Sequence, residues 1–550
     1  MRICVAPGGH TLRTIANQHR VDIAELLALN PTIRDPDRNI QGEPVKLPPF
    51  VTPANNPIPP VCPPDPPSRY LDQWIPLTPL EQMEKTDYDV LIVGTGAGGS
   101  AVLWRLCERL RESGIRIGIV EAGDLLLPMH SFNIPTLNLE RWRQLFENPK
   151  ISIPIGMRLP DFPAGTLLHA LGGRTLFWTG VTPRMHGSAL LKWPVSLEEM
   201  SAYYNIAEQV MSVNRDYTKG SRVTEVLVDR LRAGGFTEAS GLPMAVDLDV
   251  TKYGQVHSNV FFSSLDFFAL SLNRRSFDLA VNARAVRVLH EKGKVVGVQV
   301  MTPDKRSFFI KSKNVVVSAG ALETPQLLLH SGIQGGAVGH YLAIHSFTMA
   351  HGLLNREDFP EQLGTLGILI PQTSERQPYQ IQLYGPGGYF WYKYEDEPLR
   401  NEFTVRFEGF GVVESRFDNQ VYLDPARVDE YGVPDIQIRF SYSDKDLEVI
   451  QQVVRAIRKV SETIRAPFVS LDGRPKICLM PAGQDNHVSG TCRMSEDSRE
   501  GGTNRYGEVH GMSGLFVADN SVVPLVGASN PTLSTVSLAI RTADYLISKL

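Results

Sequence analysis

The sequence predicts an α/β protein in which a βαβ unit follows a small, separate strand–helix–helix–strand module. Three observations lead there. The apolar run Asp89-Val90-Leu91-Ile92-Val93 passes directly into the turn Gly94-Thr95-Gly96-Ala97-Gly98-Gly99. Over the first fifty positions, apolar residues switch from strand spacing to helix spacing and back. Between the two, Val51–Pro67 carries eight prolines in seventeen residues, a run that forms neither ladder nor helix and acts as a stiff spacer.

In the first module, Ile3-Cys4-Val5 reads as a strand, and Leu12, Ile15 and Ala16 recur at helical spacing. Asp22 and Glu25 have the spacing of a capping box that opens a second helix with Ile23, Leu26 and Leu27 on one face. Asn30-Pro31 stops that helix, and Val45-Lys46-Leu47 closes the module as a strand. Residues 1–50 resemble a LysM module through Pro7-Gly8, Thr11-Leu12, Ile15-Ala16, Leu26-Leu27, Leu29-Asn30-Pro31 and Val45-Lys46-Leu47-Pro48, with His10 where that family usually has Asp. The resemblance implies binding of N-acetylglucosamine-containing glycans and, with it, association with the cell envelope. The alternative is a module that packs on the rest of the chain and binds no glycan. Residues 51–85 form the linker.

After the glycines, Ala101, Leu103, Leu106 and Leu110 suit a packed helix, and Ile115, Ile117, Ile119 and Val120 a second strand ending at Glu121. Gly94 permits the tight turn, Gly96 lets the backbone approach a pyrophosphate, and Gly99 lets the helix pack against the strand. The helix N-terminus offers free N–H groups and a partial positive charge to phosphates. Glu121, 22 residues after Gly99, is placed for two ribose hydroxyls and disfavours a 2′-phosphate. This local motif leaves NAD and FAD both open.

The 550 residues, 42% hydrophobic and 21% charged, are those of a multidomain globular protein. A net charge of −4, with mixed signs along the chain, argues against nucleic acid as partner. No apolar run is long enough to span a bilayer and no secretory signal is visible, so a cytoplasmic location is expected. Five scattered cysteines without a CxxC form neither a disulfide framework nor a zinc site, and no metal is expected.

Further motifs follow along the chain: Leu171-Gly172-Gly173-Arg174-Thr175-Leu176-Phe177-Trp178-Thr179-Gly180, Val315-Val316-Val317-Ser318-Ala319-Gly320-Ala321, His487-Val488-Ser489-Gly490-Thr491-Cys492, Val517-Ala518-Asp519-Asn520-Ser521 and Asn530-Pro531-Thr532-Leu533. From about residue 86 to the C-terminus they resemble the glucose–methanol–choline (GMC) oxidoreductase family. The Phe177-Trp178-Thr179 loop and the Asn530-Pro531-Thr532-Leu533 ending look most like its pyranose oxidase branch. The resemblance implies a Rossmann-type FAD-binding domain assembled from residues 86–135, 278–345 and 480–550. It implies a discontinuous substrate domain, a sheet backed by helices, from 136–277 and 346–479. It places Gly94, Gly96, Gly99, Glu121, Gly172, Gly173, Thr179, Ala319, Asp519, Asn520, Pro531 and Thr532 at the cofactor. His345 matches a family position near the cofactor, with a structural role. Phe177 stands where the pyranose oxidase pattern has the histidine that links covalently to the flavin, which implies non-covalent FAD.

Oxidising an alcohol with a flavin requires a base for the hydroxyl proton and a second residue that fixes the hydroxyl while hydride leaves the carbon. The resemblance puts these roles on His487 and Asn530. Asn530 before Pro531 also reads as a helix N-cap, followed by the stripe Leu533, Val536, Ile540, Ala543 and Ile547. The expected substrate is a secondary hydroxyl of a sugar or glycoside, and the expected electron acceptor is O2 or a quinone or carrier. The alternatives are a non-sugar alcohol, a non-redox reaction such as cyanohydrin cleavage, and a glycan-binding protein with a passive flavin domain.

Overall fold

A computed structural model describes residues 2–49, 75–134, 136–248, 260–359, 364–385, 401–471 and 473–550. The chain divides into two compact units, Met1–Arg69 and Tyr70–Leu550. Most of the expected linker, with Cys62, lies outside the described residues.

The first unit has the expected order. Strands Arg2–Val5 and Pro44–Leu47 pair antiparallel, Arg2 opposite Leu47. Helices Leu12–His19 and Ile23–Leu29 lie between them in sequence. Leu12, Ile15, Leu26, Ile40 and Val45 form its core. The reciprocal capping box belongs to the first helix: Thr14 N–H donates to Thr11 Oγ1 at 3.2 Å and Thr11 N–H to Thr14 Oγ1 at 2.8 Å. Asp22 does cap the second helix, accepting from the amides of Ala24 and Glu25. Buried Asn30 does more than stop that helix. Its amide donates to Leu26 and Lys46 carbonyls and accepts from Lys46 N–H, latching the closing strand.

The second unit is built on two seven-stranded sheets. In the first, Asp278–Ala280, Ile117–Val120, Tyr88–Val93, Ser307–Val317 and Leu515–Val517 run parallel, with Lys294–Met301 and Arg284–Glu291 added antiparallel. Val90, Leu91, Ile92, Val315, Val316 and Val317 are fully buried, as strands covered on both faces should be. Val120, Val93, Val317 and Val517 are register partners at the carboxyl ends. The residues that follow, Glu121, Gly94, Ser318 and Ala518, therefore share one edge, where open α/β sheets bind ligands.

The second sheet runs Phe468–Val469, His345–Asn355, Glu402–Val412, Tyr379–Gly385, Leu366–Ile370, Ser240–Gly241, all antiparallel, with Ile477–Leu479 also on His345–Asn355. Helices Arg222–Ala233 and Asp444–Ile464 pack on one face through Leu227, Val453, Ile457 and Val460, which meet Ile368, Ile381, Leu383 and Phe407. Gly409 permits that approach, since a Cβ there would lie 2.4 Å from Val453 Cγ1. Strand alternation turns Gln380, Gln382 and Tyr384 to the opposite face. No helix of the described residues is long and apolar enough to cross a membrane.

Candidate active site

The glycine-rich turn forms as its spacing requires. Helix Ala97–Arg109 starts at Gly96 with no side chain capping its first amides. Glycine is mandatory where the helix meets the strand ends: a Cβ on Gly98 would fall 1.7 Å from Ala518 O, on Gly99 2.0 Å from Gly94 O, and on Gly94 2.4 Å from Ser318 O. At Gly96 it would meet nothing within 4 Å. Gly96 lines a deep cavity, together with Gly94, Gly98, Glu121, Gly173, Ala319, Asp519, Asn520, Pro531, Thr532 and His487. Uncapped amides, open space at Gly96 and a backbone approach of Gly173 onto Gly96 (3.1 Å from the Cβ position to Cα) fit a pyrophosphate.

Several expected cofactor residues act through the protein. Gly99 and Gly172 do not line the cavity; Gly99 sets the close packing, and Gly172 N–H donates to Thr95 Oγ1 at 2.9 Å. Glu121 lines the cavity, but its oxygens already accept from Thr95 N–H, Thr95 O–H and Gly123 N–H. Burial pushes its carboxyl up, against those bonds. Asp519 accepts from Ser521 and from Gly320 N–H and Thr324 O–H, joining the C-terminal segment to helix Gly320–His330. Asn520 accepts from Thr535 O–H at 3.0 Å and donates to Val488 O at 2.6 Å.

Helix Gly320–His330 contains Pro325, which has no N–H for Ala321 O four residues back. Thr491 O–H supplies that bond at 2.6 Å. The threonine of the His487-x-x-Gly490-Thr491 frame thus ties the histidine segment to the first sheet's helix. Arg174 braces the same segment by donating to Asn486 Oδ1 at 2.8 Å.

His487 and Asn530 come together. Helix Thr532–Ile547 begins one residue later than the sequence suggests: Pro531 occupies the cap position with φ −84° and ψ −12° and no side-chain cap bond. The Asn530 amide is therefore free for other partners. Its Nδ2 lies 3.4 Å from His487 Nε2. Its Oδ1 accepts from Gln380 Nε2 at 2.9 Å and Gln382 Nε2 at 2.5 Å. Gln382 Oε1 in turn accepts from Tyr384 O–H, and Thr179 hydrogen-bonds to Tyr384. Asn530 and Thr179 thus belong to this buried polar wall and do not line the cavity itself.

On its other side, His487 Nδ1 lies 2.8 Å from His345 Nδ1, and His345 Nε2 lies 2.6 Å from Gly527 O. Asp485 Oδ2 accepts from His345 N–H at 2.8 Å and lies 3.8 Å from His487 Nδ1. Burial, and secondarily the neighbouring His345, lower the His487 imidazole well below its ordinary value. Burial lowers His345 to about 4 and raises Asp485 to about 7. Ligand atoms of these three residues lie within 4.8 Å of one another, spacing compatible with a cation. The two Nδ1 atoms face each other at hydrogen-bond distance, however, and hold a proton that a cation would have to displace.

Sequence reasoning missed Gln380, Gln382, Tyr384 and Asp485. The signal for the first three is the alternation Tyr379-Gln380-Ile381-Gln382-Leu383-Tyr384, a strand whose polar face is as regular as its apolar one.

Comparison with known proteins adds the family. Residues 88–347 and 415–539 match the N-terminal and C-terminal halves of the GMC oxidoreductases. The chain belongs to the GMC oxidoreductase family. As a member of that family it is an FAD-dependent oxidoreductase. Among similar GMC proteins, the C-glycoside 3-oxidase of Arthrobacter globiformis is 28% identical over 409 residues, 70% of this chain and 76% of that one. A 2-methyl-1,2-propanediol dehydrogenase of Mycolicibacterium austroafricanum is 23% identical, covering 83% and 95%. The pyranose 2-oxidase of Tricholoma matsutake is 20% identical, covering 76% and 80%. A solved pyridoxine 4-oxidase superposes with a TM-score of 0.60 at 15% identity, over 83% of this chain and 99% of that one, a likeness of fold.

Proposed function

We propose that this GMC oxidoreductase oxidises a secondary hydroxyl of a sugar or glycoside, with His487 as base and Asn530 as its hydrogen-bonding partner. The observation that carries the reading is the meeting of His487 Nε2 and Asn530 Nδ2 at 3.4 Å, with His487 on the cavity wall. Burial holds the imidazole neutral at physiological pH, the state a base requires. Asn530, its oxygen occupied by two glutamines, presents N–H to whatever oxygen lies beside His487. The Gly96 turn and the Gly173 and Asp519 loops, which line the cavity, would hold non-covalent FAD, which would supply the hydride acceptor. Phe177 is packed among Trp142 and Phe146 and offers no atom for a covalent link.

The sugar assignment rests on the C-glycoside 3-oxidase and pyranose 2-oxidase likenesses. The FAD-binding domain is assigned to residues 86–135, 278–345 and 480–550, which supply the parallel strands. The substrate domain is assigned to 136–277 and 346–479, which supply most of the second sheet.

Anaerobic mixing with monosaccharides, C- and O-glycosides and simple diols tests the reading: glycosides should bleach the flavin, and readmitted air then separates O2 from a quinone or carrier as acceptor. His487→Ala should retain FAD and bleach roughly 10²–10⁴-fold more slowly. Unchanged bleaching would remove His487 from the reaction.

For residues 1–50 we infer a LysM-like, glycan-binding role that would place the enzyme at the cell envelope. The support is the closed strand–helix–helix–strand unit. Retention of the full chain on insoluble chitin tests it; passage through unretained overturns it.

A further inference from the structure

We infer that His345 is a positioning residue that fixes which nitrogen of His487 carries the proton. The inference rests on the reading of His487 as base and deepens it. The argument starts from the one group whose polarity is not open to choice. Gly527 C=O only accepts, so His345 Nε2, 2.6 Å away, must carry hydrogen. His345 is fully buried and held neutral, and a neutral imidazole has a single N–H. Its Nδ1 is therefore an acceptor. The 2.8 Å contact between the two Nδ1 atoms then requires that His487 Nδ1 donate. A neutral His487 protonated at Nδ1 has its lone pair on Nε2, the nitrogen beside Asn530.

An independent chain of bonds arrives at the same polarity from the other side. Gln380 and Gln382 donate to Asn530 Oδ1, which turns Asn530 Nδ2 and its hydrogens towards His487 Nε2. A donor there requires an acceptor on the imidazole. Both chains leave the basic lone pair of His487 at Nε2, where a substrate hydroxyl can replace Asn530 as its partner. Asp485 lies against the same pair: it accepts from the backbone N–H of His345, and its Oδ2 lies 3.8 Å from His487 Nδ1. Without His345, His487 Nδ1 loses its acceptor, and only the long 3.4 Å contact from Asn530 Nδ2, which the substrate hydroxyl displaces, keeps the proton off Nε2, where the ring cannot act as base. Holding the tautomer by hydrogen-bonding the second nitrogen is a known determinant of imidazole function.

The test reads the proton directly. Holoenzyme labelled with 15N-histidine, with the His487 signals assigned by their loss in His487→Ala, should show a protonated Nδ1 and an unprotonated Nε2. The reverse tautomer overturns the inference, whatever the activity. His345→Leu should move His487 towards the Nε2–H form and slow flavin reduction by roughly 10–100-fold, with KM little changed. His345→Gln, which keeps an acceptor for His487 Nδ1 and a donor for Gly527 O, should restore most of the rate. A His345→Leu enzyme with the parent's rate and tautomer would also overturn it. If instead His487→Ala reduces its flavin as fast as the parent, the reading of the site fails, while the tautomer measured in the parent still decides the inference.

Discussion

A single methyl group at Gly96 should separate folding from cofactor binding. Gly96 has φ −66°, open to any residue, and a Cβ there meets no heavy atom within 4 Å. The fold should accept Gly96→Ala within about 0.5 kcal/mol, as for a change with no protein contacts. The methyl projects from a residue that lines the cavity, at the amides drawn to a pyrophosphate. Overfilling a close contact costs about 1–3 kcal/mol, or about 5- to 160-fold in the Kd for FAD. Gly98→Ala is the contrast. Its Cβ falls 1.7 Å from Ala518 O and 2.8 Å from Ser318 Oγ, so the helix must leave the strand ends and no folded holoprotein should form. Apoprotein of the parent and Gly96→Ala would be titrated with FAD by flavin fluorescence, with thermal melting of each apoprotein as the control on folding. A Gly96→Ala protein that binds FAD as tightly as the parent refutes the placement of the pyrophosphate at this turn. A Gly98→Ala protein that folds and binds normally refutes the close packing.

Other perturbations probe separate links. His130 is fully buried, donates to Trp178 O and accepts from Phe132 N–H, and burial depresses it to about 3. Its contribution to stability is complete above an unfolded value of about 6.5 and is lost as pH falls, by about 2 kcal/mol between pH 6.5 and 5. His130→Gln should lose that much less in denaturant titrations at those two pH values; equal losses would count against it. Thr491→Val leaves Ala321 O without its donor and should cost about 1–3 kcal/mol in unfolding. Pro325→Ala restores an N–H to that carbonyl, so the same change should cost about 1 kcal/mol less in that background, and strict additivity would show that Thr491 does not serve the carbonyl. Asn530→Asp places a carboxylate beside His487 Nε2, which favours the imidazolium. The acidic limb of kcat/KM should move to higher pH, and an unmoved limb would separate Asn530 from the base.

Much of the first sheet is legible in sequence because its strands are apolar runs bounded by glycine, and their order follows from the turn between them. Tyr88–Val93, helix Ala97–Arg109 and Ile117–Val120 lie where the pattern puts them. The helix after Asn530 illustrates a limit. Asparagine followed by proline specifies a helix start, but either residue can hold the cap, and that choice decides whether the amide serves the helix or the site. Here Pro531 takes it. Gln380 and Gln382 illustrate another. Their alternation with Ile381 and Leu383 has the period of a two-faced strand, and a polar face ordinarily meets water. What makes it a site wall is Asn530, 150 residues away from Gln380, and no local pattern carries that distance.

The same dependence on distance explains how the site is held. The segment from Asp485 to Cys492 is bonded to the first sheet's helix through Thr491 and to the second sheet through His345, the first residue of strand His345–Asn355. Asn530 precedes a helix packed on the core of the first sheet yet takes its amide orientation from two glutamines of the second sheet. Each half of the His487–Asn530 pair is thus anchored to both sheets. A relative shift of the sheets would move both residues in concert and preserve their contact, whereas a change within either anchor moves one against the other. The base and its partner should therefore tolerate substitutions between the sheets better than substitutions at Thr491, His345, Gln380 or Gln382.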